Sequence, residues 1–125
     1  ADANLDLSKV YILTTSHTAS ASEALVNGLI PYMGKENVVL IGERTEGKNV
    51  AMKAFRNDTH GITLWPVVAY VSNAENVGDY SDGFEPTHEL IERNIIEWYP
   101  LGDTREYLLK NAINLITTGS IADNS

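Results

Sequence analysis

Ser20 and Lys48 carry complementary chemistry. A serine hydroxyl attacks a carbonyl only when a base takes its proton, and a neutral lysine amine is such a base. At its reference pKa of about 10.4, lysine is neutral at pH 7 only about 0.04% of the time, so the pairing needs desolvation at Lys48. Ser20 lies in Thr18-Ala19-Ser20-Ala21-Ser22-Glu23, where small residues let the backbone turn sharply from strand into helix. At that helix start, unpaired amides and the helix dipole favour developing negative charge. The same residues also fit structural roles. Ser20-x-x-Glu23 is a capping box, and Lys48 by itself fits a solvated loop. Ser22 reads as a helix-start residue. His17 is a rival base or, more simply, an exposed loop histidine.

The elements around these residues decide whether they meet. Val10-Tyr11-Ile12-Leu13-Thr14 reads as a buried strand. Leu25, Val26, Leu29, Ile30 and Met33 recur at helical spacing and predict a helix from about Ser20 with that stripe buried. Pro31 is expected to end or kink it at Ile30. After a loop at Gly34 to Asn37, Val38-Val39-Leu40-Ile41 is apolar on consecutive residues, as buried parallel strands are. This makes a strand–helix–strand unit with a right-handed crossover. Its two post-strand loops share one sheet edge, which brings Ser20 and Lys48 together.

Gly42-x4-Gly47-Lys48 also matches most of a phosphate-binding loop, but Asn49 stands where Ser or Thr must hold magnesium. The residues that follow alternate as a strand rather than opening a helix. That strand, Asn49 to Phe55, is expected to pair with Ile62 to Val71 through the turn Asn57 to Gly61, with Pro66 marking an edge or bulge. Ser72 to Pro86 reads as a surface loop whose Asp79, Asp82 and Glu85 lack calcium-loop spacing. His88-Glu89-Leu90-Ile91-Glu92 lacks the second histidine of a zinc-protease helix. Asp103-x-x-Glu106 reads as a second capping box. Behind it, Leu108, Leu109, Ala112, Ile113 and Ile116 form a helical stripe ending at Gly119, expected to pack on the sheet.

Composition narrows the function classes. A chain of 125 residues is one domain at most, with 43% apolar and 21% charged residues, an ordinary globular balance. A net charge of −8 argues against nucleic acid and anionic membrane surfaces as partners. No apolar run reaches transmembrane length. With no cysteine and three scattered histidines, neither a disulfide framework nor a zinc site is expected, and no cofactor is called for.

Thr18 to Glu23 after an apolar strand, followed by a helix and Val39-Leu40-Ile41-Gly42-Glu43-Arg44-Thr45-Glu46-Gly47-Lys48, resembles the C-terminal processing peptidases, or tail-specific proteases. Their pattern is Ser-Ala-Ser-Ala-Ser-Glu, then Val-Gly-Glu-x-Thr-x-Gly-Lys. The likeness is close from Val10 to Lys48 and looser through Gly83-Phe84-Glu85-Pro86 and Pro100-Leu101-Gly102-Asp103. It implies a serine endopeptidase on a crotonase/ClpP-like α/β fold, acting on peptides or unfolded proteins in the cell envelope or periplasm. Ser20 is then the nucleophile, Lys48 the base and the Ala21 amide half of the oxyanion hole. Glu23 caps or orients.

The chain also departs from the family pattern. The family's Asp-Leu-Arg-x-Asn-x-Gly-Gly strand, which supplies the other oxyanion amide, has no counterpart here, and neither does its PDZ domain. Met52 stands where some members carry glutamine, and the Ser-to-Lys spacing is longer, with the extra residues assigned to Gly34 to Asn37. The resemblance therefore implies a partial catalytic core at 9–119 between flexible ends at 1–8 and 120–125. Such a piece is expected to be inactive alone and to self-associate through an exposed sheet edge. A non-catalytic binding or structural domain of the same fold is the alternative.

Overall fold

A computed structural model of the chain describes residues 5–122; the ends expected to be flexible lie partly outside them, at 1–4 and 123–125. In chain order the elements are β1 (Val10–Thr14), α1 (Ala21–Met33), β2 (Val38–Gly42), β3 (Val50–Met52), β4 (Phe55–Asn57), β5 (Ile62–Leu64), β6 (Val67–Tyr70), β7 (His88–Glu89) and α2 (Tyr107–Thr118). β1 pairs in parallel with β2, Val10 opposite Val38 and Thr14 opposite Gly42. β7 adds in parallel to the far side of β2, so the order is β1-β2-β7. All five β2 residues are buried, as its continuous apolar run predicts for a central strand covered on both faces.

Alternation along β2 divides the core in two. Val38 and Leu40 face α1 and pack with Val26, Leu29 and Ile30, while Val39 and Ile41 face α2 and pack with Ala112 and Leu115. The expected stripe of α1 packs through Val26, Leu29, Ile30 and Met33 and departs only at its edge, whereas that of α2 is rotated. On α1, Leu25 is 59% exposed while Glu23 and Asn27 are buried beside Val26. On α2, Leu108, Asn111 and Ala112 are buried, whereas Ile113 and Ile116 face outward. Polar residues with built-in hydrogen-bond partners take core positions there. Asn111 Nδ2, for instance, donates to the Tyr107 carbonyl at 2.9 Å.

Two further expectations are corrected. Helix α1 runs through Pro31 to Met33 and stops at Gly34, whose amide bonds the Ile30 carbonyl. Proline has no amide to offer the Asn27 carbonyl, but Asn73 Nδ2 takes that place at 3.2 Å. The cap of α2 is Glu106 rather than Asp103: its carboxylate accepts from the Leu108 and Leu109 amides at 3.0 and 2.8 Å. Asp103 instead receives the Arg105 amide and guanidinium.

Where one strand pair was expected, β3 with β6 and β4 with β5 form two short antiparallel sheets that follow each other along one hairpin ribbon, with the Lys53 amide donating to the Pro66 carbonyl at 3.3 Å between them. Its register slips by one residue between Ala51 and Met52, leaving Val68 as the extra residue beside Pro66. Phe55, Ile62, Leu64, Trp65, Val67 and Tyr70 are all exposed on it. Among the described residues, no helix is long and apolar enough to cross a membrane.

Ile41→Ala should cost about 2–5 kcal/mol in urea unfolding. Ile62→Ala on the ribbon should stay within about 1 kcal/mol. Equal costs would misplace the core. The Arg105 side chain, then its amide, holds the Asp103 carboxyl at about 2. Because the folded value is depressed, any stability from this exposed pair is present above the ordinary value of 3.8 and is lost as pH falls through about 2. Carboxyl NMR titration should show this, and Arg105→Ala should return Asp103 towards its ordinary value.

Candidate active site

Thr14 ends β1 opposite Gly42, and the loops that leave the two strands stay bonded to each other. The Glu43 amide donates to the Thr14 carbonyl at 3.0 Å, Thr14 Oγ1 to the Glu43 carbonyl at 2.8 Å, and the Glu46 amide to the Thr18 carbonyl at 2.9 Å. Between them Ser20 takes φ 56° and ψ −112°, a sparsely populated conformation for any residue with a side chain. Strained strand-to-helix turns are a recurrent setting for nucleophilic serines. Ala21 is the first residue of α1, so its amide has no carbonyl one turn back to bind.

Glu23 organises the site. Its side chain is 0% exposed and receives four donors. Oε1 accepts from Thr45 Oγ1 and from the Gly47 amide, both at 2.6 Å. Oε2 accepts from the Ser20 amide at 2.9 Å and the Lys48 amide at 2.8 Å. One carboxylate oxygen thus holds the backbone of both sequence-predicted residues, and their nitrogens lie no farther apart than those two distances combined. The glutamate arm of the predicted capping box is present, but it is one contact of four.

Lys48 is half-buried, and Asn49 leads into β3 rather than a helix, unlike a phosphate-binding loop. Among the described residues, no hydrogen bond joins the side chains of Ser20 and Lys48. His17 and Ser22 are exposed. Among the described residues, no group of histidine, cysteine or carboxylate side chains is arranged to hold a metal ion.

A third segment closes the site from the far side. The Phe84 amide donates to Thr45 Oγ1 at 2.7 Å, and the Thr45 amide to the Phe84 carbonyl at 3.2 Å. The approach depends on two glycines with positive φ. A Cβ on Gly47 would lie 2.1 Å from the Ser81 carbonyl oxygen, and one on Gly83 2.0 Å from that of Thr45. Tyr80 stacks on Phe84 with ring centroids 5.0 Å apart, and among the described residues its buried hydroxyl lacks a hydrogen-bond partner. Burial, and then the Glu23 charge, push the Tyr80 phenol above its ordinary value. Tyr80 and Phe84 also line a cleft of about 430 Å³ beside α1. Sequence reasoning missed Thr45 and Tyr80 as parts of the site. Thr45 stood in the motif, but nothing local tells that its hydroxyl is 22 residues from its acceptor's chain position and buried there.

Comparison with protein-family models gives no match, and comparison with curated proteins gives none either. Among solved structures, a candidate S41 protease of Bacteroides fragilis is similar, with a TM-score of 0.82 at 46% identity over 90% of this chain and 28% of its own. The photosystem II D1 C-terminal processing protease is similar at a TM-score of 0.51 and 26% identity, over 66% of this chain and 20% of its own. The chain therefore spans less than a third of either structure. Its serine and lysine motifs, its parallel strand–helix–strand unit and these two likenesses make it a member of the C-terminal processing peptidase family.

Proposed function

We propose that this chain carries the nucleophile and base of a serine endopeptidase of the C-terminal processing type, on a crotonase/ClpP-like fold. The observation that carries the proposal is the shared grip of Glu23 Oε2 on the Ser20 and Lys48 amides. In the reaction, neutral Lys48 Nζ takes the proton from Ser20 Oγ as that oxygen bonds to the scissile carbonyl carbon. The tetrahedral oxyanion accepts from the Ala21 amide, helped by the N-terminal end of α1. Collapse breaks the C–N bond, and the Lys48 ammonium returns its proton to the leaving amine. Water, deprotonated by Lys48, then hydrolyses the ester on Ser20 and restores the enzyme. The substrates are peptides or unfolded proteins, and the setting is the cell envelope or periplasm.

A non-catalytic domain of the same fold is the second reading. It is favoured by the absence of a hydrogen bond between the Ser20 and Lys48 side chains among the described residues. Mutation separates the two readings. In the longest reading frame that contains this chain, Ser20→Ala and Lys48→Ala should each lower kcat by on the order of 10⁴-fold, without loss of folding. The double variant should be no worse, because the two residues act as a unit. Undiminished turnover in Lys48→Ala would reject the dyad.

The 125 residues produced as a separate chain should fold and self-associate through the exposed ribbon, yet show no Ser20-dependent cleavage. A missing oxyanion donor typically costs ~10²–10³ in rate. Light scattering and an assay on an unstructured protein check this. Ser20-dependent cleavage by a monodisperse monomer would overturn it.

A further inference from the structure

We propose that Thr45 is a positioning residue of the Ser20–Lys48 site, and that its hydroxyl couples the Gly83–Phe84 turn to the Glu23 carboxylate. The proposal rests on the peptidase reading above and adds a residue and a chain segment to it.

The proton directions at Thr45 follow from its neighbours. The Phe84 amide can only donate, so at 2.7 Å it occupies a lone pair of Thr45 Oγ1. The hydroxyl proton is then directed to Glu23 Oε1 at 2.6 Å, a length typical of a hydroxyl donating to a carboxylate. The result is a chain of donors from amide to hydroxyl to carboxylate, in which each bond polarises the next. Thr45 is only 4% exposed, so water does not compete for this hydroxyl.

The geometry makes the hydroxyl matter to the site. Oε1 is shared by Thr45 and the Gly47 amide, while Oε2 is shared by the Ser20 and Lys48 amides. A carboxylate has one free torsion at its end, and four donors on two oxygens remove that freedom. With the Thr45 donor gone, Oε1 keeps only Gly47 while Oε2 keeps the Ser20 and Lys48 amides, so three donors instead of four constrain the torsion and the Oε1 side loosens. Any turn this allows moves Oε2, and with it the relative placement of Ser20 and Lys48. Misplacement by about 1 Å can cost ~10²-fold in a reaction that depends on alignment. The coupling extends outward as well. Phe84 is bonded to Thr45 at both its amide and its carbonyl, so movement of the 80–84 turn reaches the carboxylate through one residue.

The test compares Thr45→Val with Thr45→Ser in the longest reading frame that contains the chain. Thr45→Val keeps the branched shape and loses the hydroxyl. It should lower kcat about tenfold to a hundredfold with KM changed less than about threefold. Thr45→Ser should restore at least half of the wild-type kcat. Glu23→Gln should be at least as impaired as Thr45→Val, because its amide nitrogen cannot accept from the two donors it would face. The double variant should be no worse than Glu23→Gln alone, as expected for residues in one network. Unchanged kcat in Thr45→Val, or Thr45→Ser as impaired as Thr45→Val, overturns the proposal. If Ser20→Ala retains turnover, the peptidase reading fails first, which is a distinct result. Should Thr45→Val not fold, amide hydrogen exchange in the wild-type protein decides. The Phe84, Gly47 and Lys48 amides should exchange as one cooperative unit, and independent exchange of Phe84 rejects the coupling.

Discussion

A carboxylate removed from water without a cation must be satisfied by dipoles or be protonated. Glu23 is in that position: it is fully buried, and among the described residues no ion pair includes it. Four donors supply what water would have given. Hydrogen bonds to a charged group contribute about 1.5–3 kcal/mol each, enough together to offset a desolvation cost of several kcal/mol. The arrangement has a corollary. Three of the donors are backbone amides of Ser20, Gly47 and Lys48, and each would be an orphan without the carboxylate. The residue that needs the donors and the loops that need an acceptor therefore fix one another.

That mutual dependence explains why the surrounding structure takes the form it does. β1 and β2 must run parallel for their C-terminal loops to reach one carboxylate, and the bonds between Thr14 and Glu43 hold those loops side by side from their first residues. The strained backbone at Ser20 is tolerated because α1 is anchored on one side by Val26 against Val38 and Leu40. On the other side, the Ser20 amide is held by Glu23 itself. Glycines at 47 and 83 allow the 45–48 and 81–84 segments to approach so closely that a methyl group has no room at either position. Only then does the Thr45 hydroxyl lie between the Phe84 amide and the carboxylate.

The remainder of the chain is less tightly determined. The β3–β6 ribbon carries most of its large apolar side chains in the open, with Tyr70 81% exposed. Its pairing comes from local features, a turn at Asn57 to Gly61 and a bulge beside Pro66, and owes little to burial. Mobility of such an element would leave the Glu23 cluster unaffected, since Lys48 is fixed through its own amide before the ribbon begins.

Local chemistry in the sequence was sufficient for several features. The apolar runs at Val10 and Val38 determined two strands, of which β2 is buried throughout while β1, at the sheet edge, is only half-buried. The interval between them required a parallel crossover with Ser20 and Lys48 at one edge. Turn residues and alternation marked the hairpin, and Gly119 marked the end of α2. These depend on contacts within a few residues, or on a rule of chain connectivity, and both are visible in linear order. The third strand at His88 and Glu89 was not legible, because two residues carry no periodicity and pair only where β2 offers an unfilled edge. The helix stripes departed from their apolar expectation, at Leu25 on α1 and more widely on α2, for a related reason. Glu23 and Asn27 are buried because partners distant in sequence bond them, and Asn111 because its Nδ2 bonds a carbonyl one turn away, its Oδ1 having no partner among the described residues. Periodicity counts apolar residues and does not register such partners. Whether Ser20-x-x-Glu23 is a helix cap or the centre of a site was open for the same reason. A carboxylate reaching one local amide and one reaching four amides and hydroxyls have the same sequence, and only the folded chain decides which donors come within 3 Å.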